Sequence, residues 1–106
     1  MLFERQEERK QLREYELVMV LDPEIEDEQV SAAIDRMTQF VTSRGGEVAD
    51  VNPWGKRKLS YPIKRRSEGN YIVAHFRIEP SQTAELEANL GLSEEVLRHL
   101  LVKTED

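Results

Sequence analysis

The residues best equipped for chemistry lie in one run, Trp54-Gly55-Lys56-Arg57-Lys58-Leu59-Ser60-Tyr61-Pro62-Ile63-Lys64-Arg65-Arg66. From Lys56 to Arg66 it holds six of the chain's fifteen Lys and Arg residues and no Asp or Glu, leaving nine cations against twenty-one carboxylates elsewhere. A net charge of -6 thus conceals a local excess of positive charge. A concentrated basic stripe attracts polyanions, because each phosphate it neutralises releases condensed counterions. The chemistry to expect is phosphate contact, with Arg57, Arg65 and Arg66 offering forked guanidinium groups and Lys56, Lys58 and Lys64 point charges. Trp54 and Tyr71 add aromatic faces that could stack on unpaired bases, cover a sheet or meet a protein partner.

A purely structural explanation competes with this one. Side chains alternate along a strand, so Leu59, Tyr61 and Ile63 are expected to face a core while Trp54, Lys56, Lys58 and Lys64 face away. Pro62 cannot donate a ladder hydrogen bond, and lysines discourage further sheet pairing, so the same residues also describe a guarded edge strand.

Other chemistries find little support. The sequence has no cysteine, and its two isolated histidines, His75 and His99, do not make a zinc cage. No Ser, Cys or carboxylate arrangement makes either histidine a catalytic base, so neither an enzyme, a cofactor nor a small-molecule substrate is expected. The longest apolar run, Leu17 to Leu21, is too short to span a bilayer, and no apolar targeting segment opens the chain. The expectation is a cytoplasmic protein with no membrane partner.

The elements that must position the basic run are legible from periodicity. Residues 1–14 are rich in both signs of charge and are expected to form a flexible extension, 15–103 a single domain, and 104–106 a short tail. Tyr15 to Leu21 is apolar on both faces and reads as a central strand. A helix is expected from near Asp27, where acidic residues suit the macrodipole, with Val30, Ala33, Ile34, Met37, Phe40 and Val41 forming one stripe and Arg44-Gly45-Gly46 closing it. A second strand runs from Glu47, bent at Asn52-Pro53, to about Arg65. Ser67-Glu68-Gly69-Asn70 has the composition of a turn, returning Tyr71 to Ile78 as a hairpin partner with Ile72, Ala74, Phe76 and Ile78 toward the core. Pro80-Ser81 introduces a second helix with Ala84, Leu86, Ala88 and Leu90 as apolar positions and Gly91 as its stop, and Val96 to Lys103 is the last strand.

This order implies an α+β fold, a ferredoxin-like split β-α-β sandwich in which a four-stranded antiparallel sheet carries two helices on one face. The first and third strands are expected at its centre, the second at an edge, and the open face is expected to carry function.

In this setting the segment Gly55-Lys56-Arg57-Lys58-Leu59-Ser60-Tyr61-Pro62-Ile63-Lys64 resembles the signature of the bacterial small-subunit ribosomal protein family designated S-six. Arg13-Glu14-Tyr15-Glu16, Gly45-Gly46, Gly69-Asn70-Tyr71 and Val102-Lys103 extend the likeness over nearly all of Arg13 to Lys103. The resemblance implies a structural constituent of the ribosome that binds small-subunit ribosomal RNA and pairs as a heterodimer with the small basic ribosomal protein S-eighteen. It adds Arg13 to the expected RNA contacts. Glu14 occupies a position that is often basic in the family, which implies a weaker contribution from the first strand. The other functions considered for this topology are a single-stranded RNA module resembling an RNA-recognition motif, for which Tyr71, Val73 and His75 lack paired aromatics, and a metabolite-binding or acylphosphatase-like domain, for which no phosphate loop is present.

Overall fold

The computed structural model describes residues 11–104. The chain runs β1 (Arg13–Leu21), α1 (Asp27–Ser43), β2 (Glu47–Ile63), β3 (Arg66–Ile78), a 3-10 turn (Pro80–Gln82), α2 (Thr83–Leu92) and β4 (Val96–Lys103). The sheet is antiparallel with order β2-β3-β1-β4, so β1 and β3 are central and the Pro62-bearing β2 lies at an edge, as its missing donor requires. The extension expected over residues 1–14 lies outside the described residues up to residue 10, and the strand itself begins at Arg13.

Each helix forms where its sequence satisfies the ends. At the start of α1 the Glu26 N–H donates to Gln29 Oε1 at 3.1 Å, and Asp27 and Glu28 occupy the first turn. At its end Gly45 takes φ 82°, a left-handed conformation that glycine adopts without a Cβ clash. The stripe of α1 buries Ala33, Met37, Phe40 and Val41, with Val30 and Ile34 partly covered. These pack on Tyr15, Leu17, Met19 and Leu21 of β1 and on Ile72, Ala74, Phe76 and Ile78 of β3, closing a core in which, among the described residues, no Ser, Thr, Asn, Gln or charged side chain is buried. In α2 only Leu86 and Leu90, one helical turn apart, are buried; Ala84 and Ala88 are exposed, and the helix runs past Gly91 to Leu92. Spacing by two places alternate residues on different sides of a helix, and the i, i+4 pair prevails.

The largest departure from expectation is the hairpin turn. Ser67, Glu68, Gly69 and Asn70 belong to β3, and the chain reverses instead at Lys64-Arg65, with φ values of 49° and 68°. Gly69 has no left-handed φ; its role is steric, since a Cβ there would collide with Val20 Cγ1. Its absent side chain is used for close packing rather than for turning, and the turn falls to two residues with no special aptitude for it.

Candidate nucleic-acid interface

The β2–β3 hairpin is longer than the rest of the sheet. The last β1–β3 pair is Leu21 with Asn70, so Arg57–Ile63 and Arg66–Gly69 continue beyond the body as an arm. Within β2 the pairing slips between Val48 and Asp50, between Pro53 and Gly55 and between Lys58 and Ile63, and Gly55 has φ 86°. The first two slips each insert one extra residue, as a bulge does, which twists a strand and changes which residues share a face, while between Lys58 and Ile63 five steps on β2 match two on β3 and the pairing is interrupted.

This changes the alternation expected of the basic run. Gly55 lies opposite Tyr71 and Arg57 opposite Gly69, which places Arg57 toward the open face of the sheet, not toward the helices, and Leu59 and Tyr61 line a cavity on that same face with Val18, Val20, Tyr71 and Leu100. Leu59 is buried there, at 9%, against Val20 and Tyr71, outside the main core. Tyr61 was expected in the core but is 57% exposed, its hydroxyl accepting a 2.8 Å hydrogen bond from Arg98 Nη1 of β4. A phenol with its oxygen held by a cation at the sheet margin has no reason to enter an apolar core. Trp54 also leaves the lysine face: Arg57 Cζ lies 5.5 Å from its ring centroid, a cation–π pair, and the indole is 53% exposed.

The expected phosphate contacts divide into two groups. Lys56, Arg57, Lys58, Lys64 and Arg65 are exposed, and none of these five makes an ion pair with a carboxylate of the described residues, although Glu68 is the register partner of Lys58. Arg66 is engaged internally. Its Nε and Nη2 meet Asp22 Oδ1 and Oδ2 at 3.0 and 3.2 Å, and Nη2 reaches Glu24 at 3.3 Å. The guanidinium hydrogen bonds hold the Asp22 carboxyl below its usual range and raise Arg66 further. Arg66 thereby ties the arm to the loop between β1 and α1. Tyr71, half-buried, lines a cavity of about 190 Å³ with Val18, Val20, Leu59, Ile63 and Leu100. Arg13, paired with Ile78, lies at the far end of β3 from Arg66, about 40 Å away along the strand, and is not brought to the arm.

Sequence reasoning did not find the charge cluster at the other end of the open face. His75 Nδ1 lies 2.7 Å from Asp50 Oδ1 and its Nε2 3.0 Å from Glu16 Oε2, and these carboxylates, Asp50 first, raise the imidazole pKa. Arg77 and Glu47 follow at 3.6 Å. Register alone brings these residues from three strands together, so no local motif announces them. Among the described residues no group of three or more His, Asp or Glu is placed to hold a metal ion, and no helix is long and apolar enough to cross a membrane.

The arrangement is therefore a sheet with a projecting basic arm and a mixed apolar and acidic open face. The sequence profile of the Ribosomal protein S6 family matches residues 14–103. The chain belongs to that family. It is 39% identical to the small ribosomal subunit protein bS6 of Caldanaerobacter subterraneus over 90% of this chain and 100% of that one. It is 36% identical to the bS6 of Moorella thermoacetica, covering 90% and 97%. The crystal structure of the 30S ribosomal protein S6 from Thermotoga maritima superposes with a TM-score of 0.83 at 27% identity, over 89% of each chain. As an S6-family member the protein is a constituent of the small ribosomal subunit and not an enzyme. The fold matches the family structure, as the element order implied.

Proposed function

We propose that the arm is the surface through which this protein binds small-subunit ribosomal RNA directly, and that it does so paired with the basic ribosomal protein S-eighteen. The observation that supports the first part is that Lys56, Arg57, Lys58, Lys64 and Arg65 project together without a carboxylate partner among the described residues, in an otherwise acidic protein. Unpaired cations clustered on one arm gain from counterion release, whereas cations needed only for solubility gain nothing from being collected. Arg66 acts in this reading as the brace that holds the arm, and Arg13 as a separate, distant contact.

The pairing with S-eighteen is supported by the open sheet face. Leu100 and Val102 are 51% and 43% exposed on β4, beside Val18, and Glu16 and Asp50 give the adjoining end a negative character suited to a basic protein. Because the body is acidic, the isolated chain is expected to bind RNA weakly, and the companion to supply much of the joint RNA surface. Residues 15–103 act in this reading as one functional domain.

The test is RNA binding by the assembled protein pair across salt concentrations. Arg57→Ala with Lys58→Ala should flatten the dependence of log affinity on log salt by about 2 and weaken binding to related RNA sequences alike, since phosphate contacts position without specifying. Circular dichroism should show an intact fold, because both side chains are exposed. An unchanged slope and affinity would reduce the arm to edge protection. Nanomolar RNA affinity of the isolated chain at physiological salt, unaltered by S-eighteen, would remove the pairing from the mechanism.

A further inference from the structure

We propose that Trp54 and Arg57 form a receptor for a single unpaired nucleobase, which stacks on the exposed face of the indole while the neighbouring cations hold its flanking phosphates. The proposal rests on the RNA reading of the arm and adds to it the kind of RNA required: one with a base free of its helix.

Trp54 is the only tryptophan of the chain and is more than half exposed, although an indole is among the costliest apolar groups to leave in water. It takes no part in the core, whose buried members come from β1, β3, β4 and the helices. Its position is set by backbone. The register slip between Pro53 and Gly55, with Gly55 at φ 86°, takes the indole out of the alternation that would otherwise have grouped it with Lys56 and Lys58. Gly55 also leaves room beside it, since a Cβ there would meet nothing within 4 Å.

Arg57 lies over the ring at 5.5 Å. It occupies one π-face with a cation that has no carboxylate partner among the described residues. With Arg57 over one side and the indole 53% exposed, the site suits one stacked base rather than a clamp between two. A base inside a duplex has both its faces covered by neighbours and cannot use such a platform, whereas a bulged or looped base can. The surrounding charge favours a nucleic acid over a protein side chain as the occupant, because Arg57 beside the ring, with Lys56 and Lys58 on the adjoining face of the same strand, would repel a basic partner and is matched by phosphates on either side of the base.

The single tryptophan reports on its own site. The full chain, at low salt, is titrated with a fully paired RNA duplex and with the same duplex carrying a three-nucleotide unpaired bulge, following indole fluorescence and the anisotropy of labelled RNA. Bulged RNA should quench Trp54 and the duplex should not. Trp54→Leu should weaken binding of the bulged RNA about 5- to 100-fold with an unchanged salt slope, leave the duplex unaffected, and be partly rescued by Trp54→Phe. Equal loss for both RNAs, or the absence of quenching while the salt slope persists, would overturn the stacking site and leave the phosphate arm standing. A flat salt slope with no binding of either RNA would overturn both. Indole fluorescence that responds to added S-eighteen and not to RNA would assign Trp54 to the protein contact instead.

Discussion

The sheet body and the β2–β3 arm are built on different principles. In the body, Leu17, Leu21, Ala74 and Ile78 are fully inaccessible and the buried side chains among the described residues are hydrophobic, so its cohesion comes from apolar area removed from water. In the arm beyond Asn70, Leu59 and Gly69 are the buried residues, and the remaining ties are polar: Arg66 to Asp22 and Glu24, and Arg98 to Tyr61. A dry core holds the strands rigidly, while exposed polar ties place a cationic arm without sinking its charges. The molecule thereby separates the apolar contacts that keep it folded from the cations it exposes to solvent.

This contrast is easiest to break in the body. Phe76→Ala should cost about 3 to 5 kcal/mol, measured by urea denaturation, because a ring that is 2% exposed leaves a cavity between sheet and helices. Leu59→Ala in the arm should cost about 2 kcal/mol, at the low end of core truncations, since the residue packs in a satellite of the core that can partly collapse. A loss as large as that of Phe76→Ala would mean that arm and body share one core after all.

Smaller effects sharpen the comparison. Arg65→Gly should stabilise the fold by about 0.5 to 1 kcal/mol, because glycine takes a φ of 68° without the strain an arginine bears, while weakening RNA binding by removal of a cation. A destabilised variant would contradict the left-handed turn. Arg66→Ala should change global stability little, as the pair is partly solvated, yet should raise hydrogen-exchange rates in the arm selectively. Uniform exchange protection in that variant would show that the ties do not hold the arm.

The smallest effect is one of pH. The carboxylates of Asp50 and Glu16 raise the folded-state pKa of His75, so its contribution to stability is complete below the ordinary histidine value of about 6.5 and is lost as pH rises through the higher folded value. Thermal stability should therefore fall slightly as pH rises above the ordinary histidine value, and His75→Gln should abolish that portion of the dependence. Asp22 acts in the opposite sense: its carboxyl is held low by Arg66, so the tie is present above the ordinary carboxylate range and is lost as pH falls through the lowered value.

Periodicity carried most of the fold. The doubly apolar β1, the six-position stripe of α1, the alternation of β3 and the proline of β2 each state locally which side must be buried or which edge must stay unpaired, and the observed strand order follows. The charge of the arm was legible for the same reason, since composition is a property of the chain itself. What sequence alone did not decide was phase and contact. The bulge at Gly55 and the turn at Lys64-Arg65 reverse or displace the alternation, which is why Tyr61 lies in solvent and Trp54 lies with Arg57. Gly69 shows why such positions escape a local reading: its value lies in the Val20 side chain that approaches from another strand. Likewise, only pairing across three strands places Asp50 and Glu16 against His75, and only the path of the arm brings Arg66 to Asp22, because such encounters depend on residues far apart in the chain rather than on the pattern around any one of them.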